Sequence, residues 1–137
     1  MKHYQLVVDR LDHVHVYVRD RAAATEWYRE MFGLEKTCDY TERGDPHGPV
    51  VLTAGDGVTH LALFERALSS NGGAANRSTI AFSVGGDAFL AFAAHASAGD
   101  PVDHGTSYSL YLRDPDGNPY EVTTYDYELV ARSRSGV

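Results

Sequence analysis

Five short segments of this chain alternate apolar and polar residues with a period of two, and that alternation limits what it can fold into. In Leu11–Val18, Val14, Val16 and Val18 fall on one side and His13, His15 and Tyr17 on the other. In Thr59–Phe64, Leu61 and Leu63 oppose His60, Ala62 and Phe64. Ser78–Val84 sets Ile80, Phe82 and Val84 against Thr79, Ala81 and Ser83. Ser107–Leu112 sets Tyr108, Leu110 and Leu112 against Ser109 and Tyr111, and Tyr120–Tyr125 sets Tyr120 and Val122 against Glu121, Thr123 and Tyr125. Successive side chains of a strand point to opposite sheet faces. Each segment therefore reads as a strand with one face to bury under a helix. The other face gathers histidines, a glutamate and several tyrosines, and it is where a metal ion is to be sought.

Between the strands lie two helical patterns. In Asp20–Phe32, Ala24, Trp27, Tyr28 and Met31 recur at helical spacing, with Asp20 as the N-cap and Gly33 as the stop. In Asp87–Ser97, Phe89, Phe92, Ala93 and Ala96 share one helical face, with Gly99 beyond. Turns are expected at Gly44–Gly48 and at Ala54–Gly57, with a further strand at Val50–Thr53. Asp114-Pro115-Asp116-Gly117-Asn118 reads as a hairpin turn, because proline presets φ and glycine admits left-handed backbone. The chain thus repeats one order, strand, helix, then about three strands, in halves of roughly 10–66 and 77–126. Ala67–Arg77, rich in Ser, Asn, Gly and Ala, links them, and Ala131–Val137 is expected to fray. The fold class is α+β: two tandem β-α-β-β-β units within a single domain, 1–137, forming a curved mixed sheet around a cleft.

Composition narrows the partners. A net charge of -7 with no basic stripe argues against nucleic acid and against anionic membranes. No apolar run reaches the roughly 18 residues of a membrane span, and Met1–Asp9 lacks a signal-peptide pattern. Cys38 is the one cysteine, so no intrachain disulfide can form and a reducing cytoplasm fits. Cys38 itself reads as an inert thiol, and His3, His47 and His95 as solvated.

Two stretches carry a resemblance to a known family. Leu11-Asp12-His13-Val14, Val18-Arg19-Asp20 and Trp27-Tyr28-Arg29-Glu30-Met31-Phe32-Gly33-Leu34 resemble the opening strand and helix of the vicinal oxygen chelate superfamily. Asp114-Pro115-Asp116-Gly117-Asn118-Pro119-Tyr120-Glu121 resembles its closing hairpin. That superfamily holds glyoxalase I, bleomycin and fosfomycin resistance proteins and extradiol ring-cleaving dioxygenases. The likeness covers residues 10–126. It implies metal ligands at up to four equivalent positions, which here are His13, His60, Thr79 and Glu121. Thr79 stands where the family's metal enzymes have a histidine, and a threonine hydroxyl is a poor ligand. The remaining set, His13, His60 and Glu121, suits a divalent ion with open positions: Fe(II) first, with Mn(II), Ni(II) or Zn(II) also accommodated. The resemblance leaves a second role for His60, that of an acid/base group.

Val102-Asp103-His104, five residues, Leu110-Tyr111-Leu112-Arg113-Asp114-Pro115-Asp116-Gly117 and Glu121 also resemble the extradiol dioxygenase signature. By that resemblance Tyr111 hydrogen-bonds a substrate oxygen, His104 orients it, and Glu121 holds iron. His15, Tyr17, Phe64 and Tyr125 are expected to line the substrate pocket. The implied function is a metal-dependent enzyme acting on a small molecule with vicinal oxygens, extradiol ring cleavage being preferred. A glyoxalase-like lyase or isomerase is the second reading. A metal-free, drug-sequestering protein, its pocket lined by Tyr17, Phe64, Tyr111 and Tyr125, is the third. Family members of this length resemble dimers, so a homodimer is expected.

Overall fold

The computed structural model describes residues 5–66, 77–96 and 98–136. Most of the linker expected at Ala67–Arg77 lies outside these residues, as does His3. Two compact units divide the chain, Met1–Ala67 and Leu68–Val137.

The first unit runs β1 (His13–Val18), α1 (Arg21–Phe32), β2 (Glu35–Asp39), a 3-10 turn (Tyr40–Arg43), β3 (Val50–Thr53) and β4 (His60–Glu65). Its four strands form one mixed sheet in the order β1-β4-β3-β2. β1 runs parallel to β4, and β3 is antiparallel to both β4 and β2. The alternation of β1 and β4 has the expected effect. Val16, Val18, Leu61 and Leu63 are buried, as are Ala24 and Tyr28 of α1, which packs on β2, β3 and β4. Fully burying a side chain of this size contributes about 1.5–3 kcal/mol. Asp20 caps α1 by accepting a hydrogen bond from the Ala23 amide at 3.1 Å. Gly33, at φ 66°, ends the helix in the left-handed region that glycine enters without a Cβ penalty.

The second unit repeats the order as β5 (Ile80–Ser83), α2 (Gly86–His95), β6 (Val102–Asp103), β7 (Tyr108–Arg113) and β8 (Pro119–Thr124). Its sheet is ordered β5-β8-β7-β6, with β5 and β8 parallel and β7 antiparallel to β6 and β8. Two β-α-β-β-β units with mixed sheets make the α+β class expected from the sequence. The β7–β8 hairpin turns where expected. There the Asp114 carboxylate accepts hydrogen bonds from the amides of Asp116 and Asn118 and from the Asn118 side chain.

Three expectations need correction. Residues 131–134 do not fray: they belong to α3 (Tyr127–Arg134), whose Val130 is fully buried. α3 packs against α2, and Tyr127 ties it to β6 by donating to Asp103 Oδ2 at 2.9 Å. Helix α2 begins at Gly86, whose amide donates to the Asp126 carboxylate at 2.6 Å. It ends at His95, short of the expected Ser97, because Ala96 turns to extended backbone. β5 is also shorter than Ser78–Val84, which leaves Thr79 exposed just before the strand.

Candidate functional site

On the first unit, the polar rows of β1 and β4 lie side by side. His13 pairs in register with His60, His15 with Ala62, and Tyr17 with Phe64. β3 continues the rows, Thr53 beside His60 and Val51 beside Ala62, and β2 adds Cys38 beside Val51. A bulge between Lys36 and Cys38 matters here. The extra residue, Thr37, shifts the strand's parity and brings Cys38 onto the histidine face. The Thr37 and Thr53 hydroxyls are hydrogen-bonded at 2.7 Å. A cavity of about 320 Å³ opens on this face, lined by His13, His15, His60, Phe64, Cys38 and Tyr40 among others.

The imidazoles are held by specific partners. His13 Nδ1 lies 2.7 Å from Asp12 Oδ2. That hydrogen bond is the main reason the Asp12 carboxyl is held below its usual range. An ionised carboxylate only accepts, so His13 Nδ1 carries the proton and its Nε2 presents a lone pair. His60 Nδ1 meets the Thr53 hydroxyl at 2.8 Å. His15 lies parallel to His13, ring centroids 5.1 Å apart and planes 20° apart, and it also packs against Phe64 at 4.6 Å. Phe64 also touches Tyr17 at 5.9 Å, and the Arg66 guanidinium sits 4.5 Å over the Tyr17 ring.

On the second unit, Glu121 of β8 lies directly opposite Tyr111 of β7, and Thr123 opposite Ser109. Ser109 is fully buried; its hydroxyl is 2.7 Å from Glu121 Oε2 and 3.0 Å from Thr123 Oγ1. His104 Nε2 lies 3.0 Å from the Tyr111 hydroxyl. Tyr111 and Glu121 of the dioxygenase-like spacing thus share one face of one sheet, and His104, just past the end of β6, reaches the Tyr111 hydroxyl. Tyr125 falls beyond the end of β8 and is 70% exposed. His47 and His95 are exposed, as a solvated role requires.

As the described side chains stand, neither unit by itself gathers three or more His, Cys, Asp or Glu residues tightly enough to hold an ion. The donor set nevertheless suits a divalent transition metal. On the first unit His13 Nε2 is a lone-pair nitrogen shared at 3.1 Å with His15 Nε2, and on the second Glu121 accepts from Ser109 through Oε2.

Residues 10–122 match the sequence profile of the Glyoxalase/Bleomycin resistance protein/Dioxygenase superfamily. The chain belongs to that superfamily. Comparison with curated proteins finds no match. Solved structures similar to this superfamily member include the lactoylglutathione lyase of Agrobacterium tumefaciens. That one is 26% identical at a TM-score of 0.62, the match covering 85% of this chain and 94% of that one. The fosfomycin resistance protein FosX of Mesorhizobium loti is 18% identical at a TM-score of 0.64, with 86% and 93% covered. The oxidase ChaP-H2 is 21% identical at a TM-score of 0.65, with 88% and 97% covered. At their identities the last two show likeness of fold alone.

Several residues of the two faces were not visible as site residues in the sequence. Cys38 and Tyr40 follow a polar stretch whose alternation the bulge interrupts, so no strand pattern marks them. Asp12 had a legible signal: an acidic residue next to a strand histidine is placed to fix its tautomer. Ser109 was assigned to the polar face of its strand, but its contact with Glu121 depends on the β7–β8 register.

Proposed function

We propose that this superfamily member is a divalent-metal-dependent enzyme acting on a small molecule with two adjacent oxygens, by extradiol-type ring cleavage. The supporting observation is that Tyr111 and Glu121 are paired on one face of the β7–β8 ladder, with His104, just past β6, hydrogen-bonded to Tyr111. We assign the ion to His13 and His60 on the first unit. Glu121 is the carboxylate that the family resemblance gives the same task. Fe(II) is the preferred ion; when bound it supplies redox chemistry with dioxygen and open positions for two substrate oxygens.

The chain's own groups have separable tasks. Asp12 keeps the proton on His13 Nδ1, and Ser109 orients the Glu121 carboxylate. In its Nε2–H tautomer His104 donates to the Tyr111 oxygen, which leaves the Tyr111 proton to point at a substrate oxyanion. A preset donor of that kind stabilises charge that develops during reaction. Phe64 and Tyr17 offer aromatic surface to a planar ring, with Tyr125 and His15 as further proposed contacts. A reducing cytoplasm is the proposed compartment, and among the described residues no helix is long and apolar enough to cross a membrane.

The test is oxygen uptake by Fe(II)-loaded protein with a panel of catechols, each yielding a yellow ring-opened product that contains both oxygen atoms. Tyr111→Phe is expected to slow turnover by about 100- to 1000-fold with iron content unchanged, as loss of one aimed donor does. No oxygen uptake across the panel would refute the reading. A glyoxalase-like reading draws support from the 26% identity to the Agrobacterium tumefaciens lactoylglutathione lyase. It would take over if Ni(II)- or Zn(II)-loaded protein isomerised hemithioacetals. Tight binding of aromatic drugs by metal-free, inactive protein would favour sequestration.

A further inference from the structure

His13 and His15 are two residues apart on β1, the end strand of its sheet, so they share a face at a Cα separation of about 6.6 Å. Their rings do not splay apart. The two Nε2 atoms approach to 3.1 Å. Asp12 fixes His13 as the Nδ1–H tautomer, so the atom His13 turns toward His15 bears a lone pair. Phe64 also packs against the His15 ring, centroids 4.6 Å apart. At 3.1 Å the His13 lone pair is met either by an Nε2–H of His15, as a hydrogen bond between the rings, or, with His15 as its Nδ1–H tautomer, by a metal ion shared between the two nitrogens. Imidazole nitrogens each about 2.0–2.1 Å from a shared metal lie about 2.9–3.4 Å apart at angles between about 90° and 109°. The observed gap falls inside that span.

The register of the two units adds a second argument. The first apolar row of each parallel ladder, Val14↔Leu61 in one unit and Ile80↔Tyr120 in the other, sets the two units together. The next row is then His15↔Ala62 in the first unit and Ala81↔Glu121 in the second. Glu121's row is thus matched by the row of His15, not by that of His60. The cavity of about 320 Å³ beside His13 and His15 leaves room for further ligands.

We propose that His15 is a metal ligand rather than a pocket-lining residue, and that His13-Val14-His15 chelates a divalent transition-metal ion at two points. This rests on the metal-dependent reading above. An Asp12–His13–metal arrangement gives the chelate its outer support, since a carboxylate on the remote ring nitrogen raises ligand basicity.

The experiment titrates the full chain, stripped by chelator, with Co(II) followed by visible absorption and with Zn(II) by competition. His15→Ala is expected to weaken both ions by at least about tenfold and to change the Co(II) absorption bands, while His47→Ala, at an exposed site, matches wild type. Imidazole nitrogen NMR of the wild type needs no variant: Zn(II) should shift His13 Nε2 and His15 Nε2 together. Wild-type affinity and bands in His15→Ala, with His13→Ala impaired, would overturn the chelate and leave a proton bridge, the metal reading still standing. Movement of His13 Nε2 alone would overturn it likewise. Failure of the wild type to bind either ion would overturn both.

Discussion

Replacing Asp114 with alanine tests what holds Tyr111 opposite Glu121. The Asp114 side chain sits in the β7–β8 turn, in a residue 5% exposed. Its Oδ1 accepts from the Asp116 amide at 2.9 Å and the Asn118 amide at 2.8 Å, and its Oδ2 from the Asn118 side-chain amide at 2.8 Å. Hydrogen bonds to a charged acceptor contribute about 1.5–3 kcal/mol each. Asn118 is fully buried, so its donors cannot simply return to water. The three bonds share one carboxylate and do not add independently. The expected loss for Asp114→Ala is about 3–4 kcal/mol, a large part of the 5–15 kcal/mol typical of a domain. With a urea slope of about 2 kcal/mol/M, the midpoint should fall by about 1.5–2 M. Asp114→Asn retains an acceptor for the two backbone amides but sets NH2 against NH2 at Asn118, so about half that loss is expected. Urea unfolding followed by far-UV circular dichroism measures both. A loss below about 0.5 kcal/mol in the alanine variant would refute the reasoning, as would an asparagine variant less stable than the alanine one.

Tyr127 is pushed up to about 12, chiefly by its hydrogen bond to the Asp103 carboxylate. An unfolded tyrosine titrates near 10, so the native state holds this proton more tightly; the stabilisation is complete below about pH 10 and is lost as pH rises through about 12. Thermal melts should therefore fall more steeply over that window in wild type than in Tyr127→Phe, and identical slopes would refute the link. The chain is also proposed to act as a homodimer, since both sheets end in edge strands and Leu6, Val7, Val8 and Leu11 are 70–81% exposed. Light scattering at micromolar concentration should give twice the 15.0 kDa chain mass, and a monomeric mass would refute it.

Much of the fold was legible because the physics that specifies it is local. Valine and leucine at every second position mark a buried strand face, and Asp20 and Gly33 delimit α1 by their own backbone chemistry. The elements that escaped lack such marks. β2, Glu-Lys-Thr-Cys-Asp, is polar and bulged. β6 is two residues long. α3 is short and polar, and its order comes from tertiary contacts, the burial of Val130 and the bond from Tyr127 to Asp103. Pattern reading sees none of these.

The site shows a sharper version of the same limit. A period-two pattern tells which face a residue occupies, but a shift of two residues along the strand leaves it unchanged. His13, His15 and His60 were therefore correctly placed together on a face, while their rows were undetermined. Position along the strand decides which side chains can converge, because each row adds about 6.6 Å between Cα atoms. When the first apolar rows of the two parallel ladders are set together, His13 falls against Thr79, His60 against Pro119, and the pair His15–Ala62 against Ala81–Glu121. In that setting the carboxylate of the second unit and the second histidine of β1 occupy matching rows. His60 keeps its place beside His13 through direct pairing across β1 and β4, so the case for it rests on that contact and on Thr53, not on internal symmetry. The two units share a scaffold and have diverged in chemistry, imidazoles on one sheet and a carboxylate with a phenol on the other.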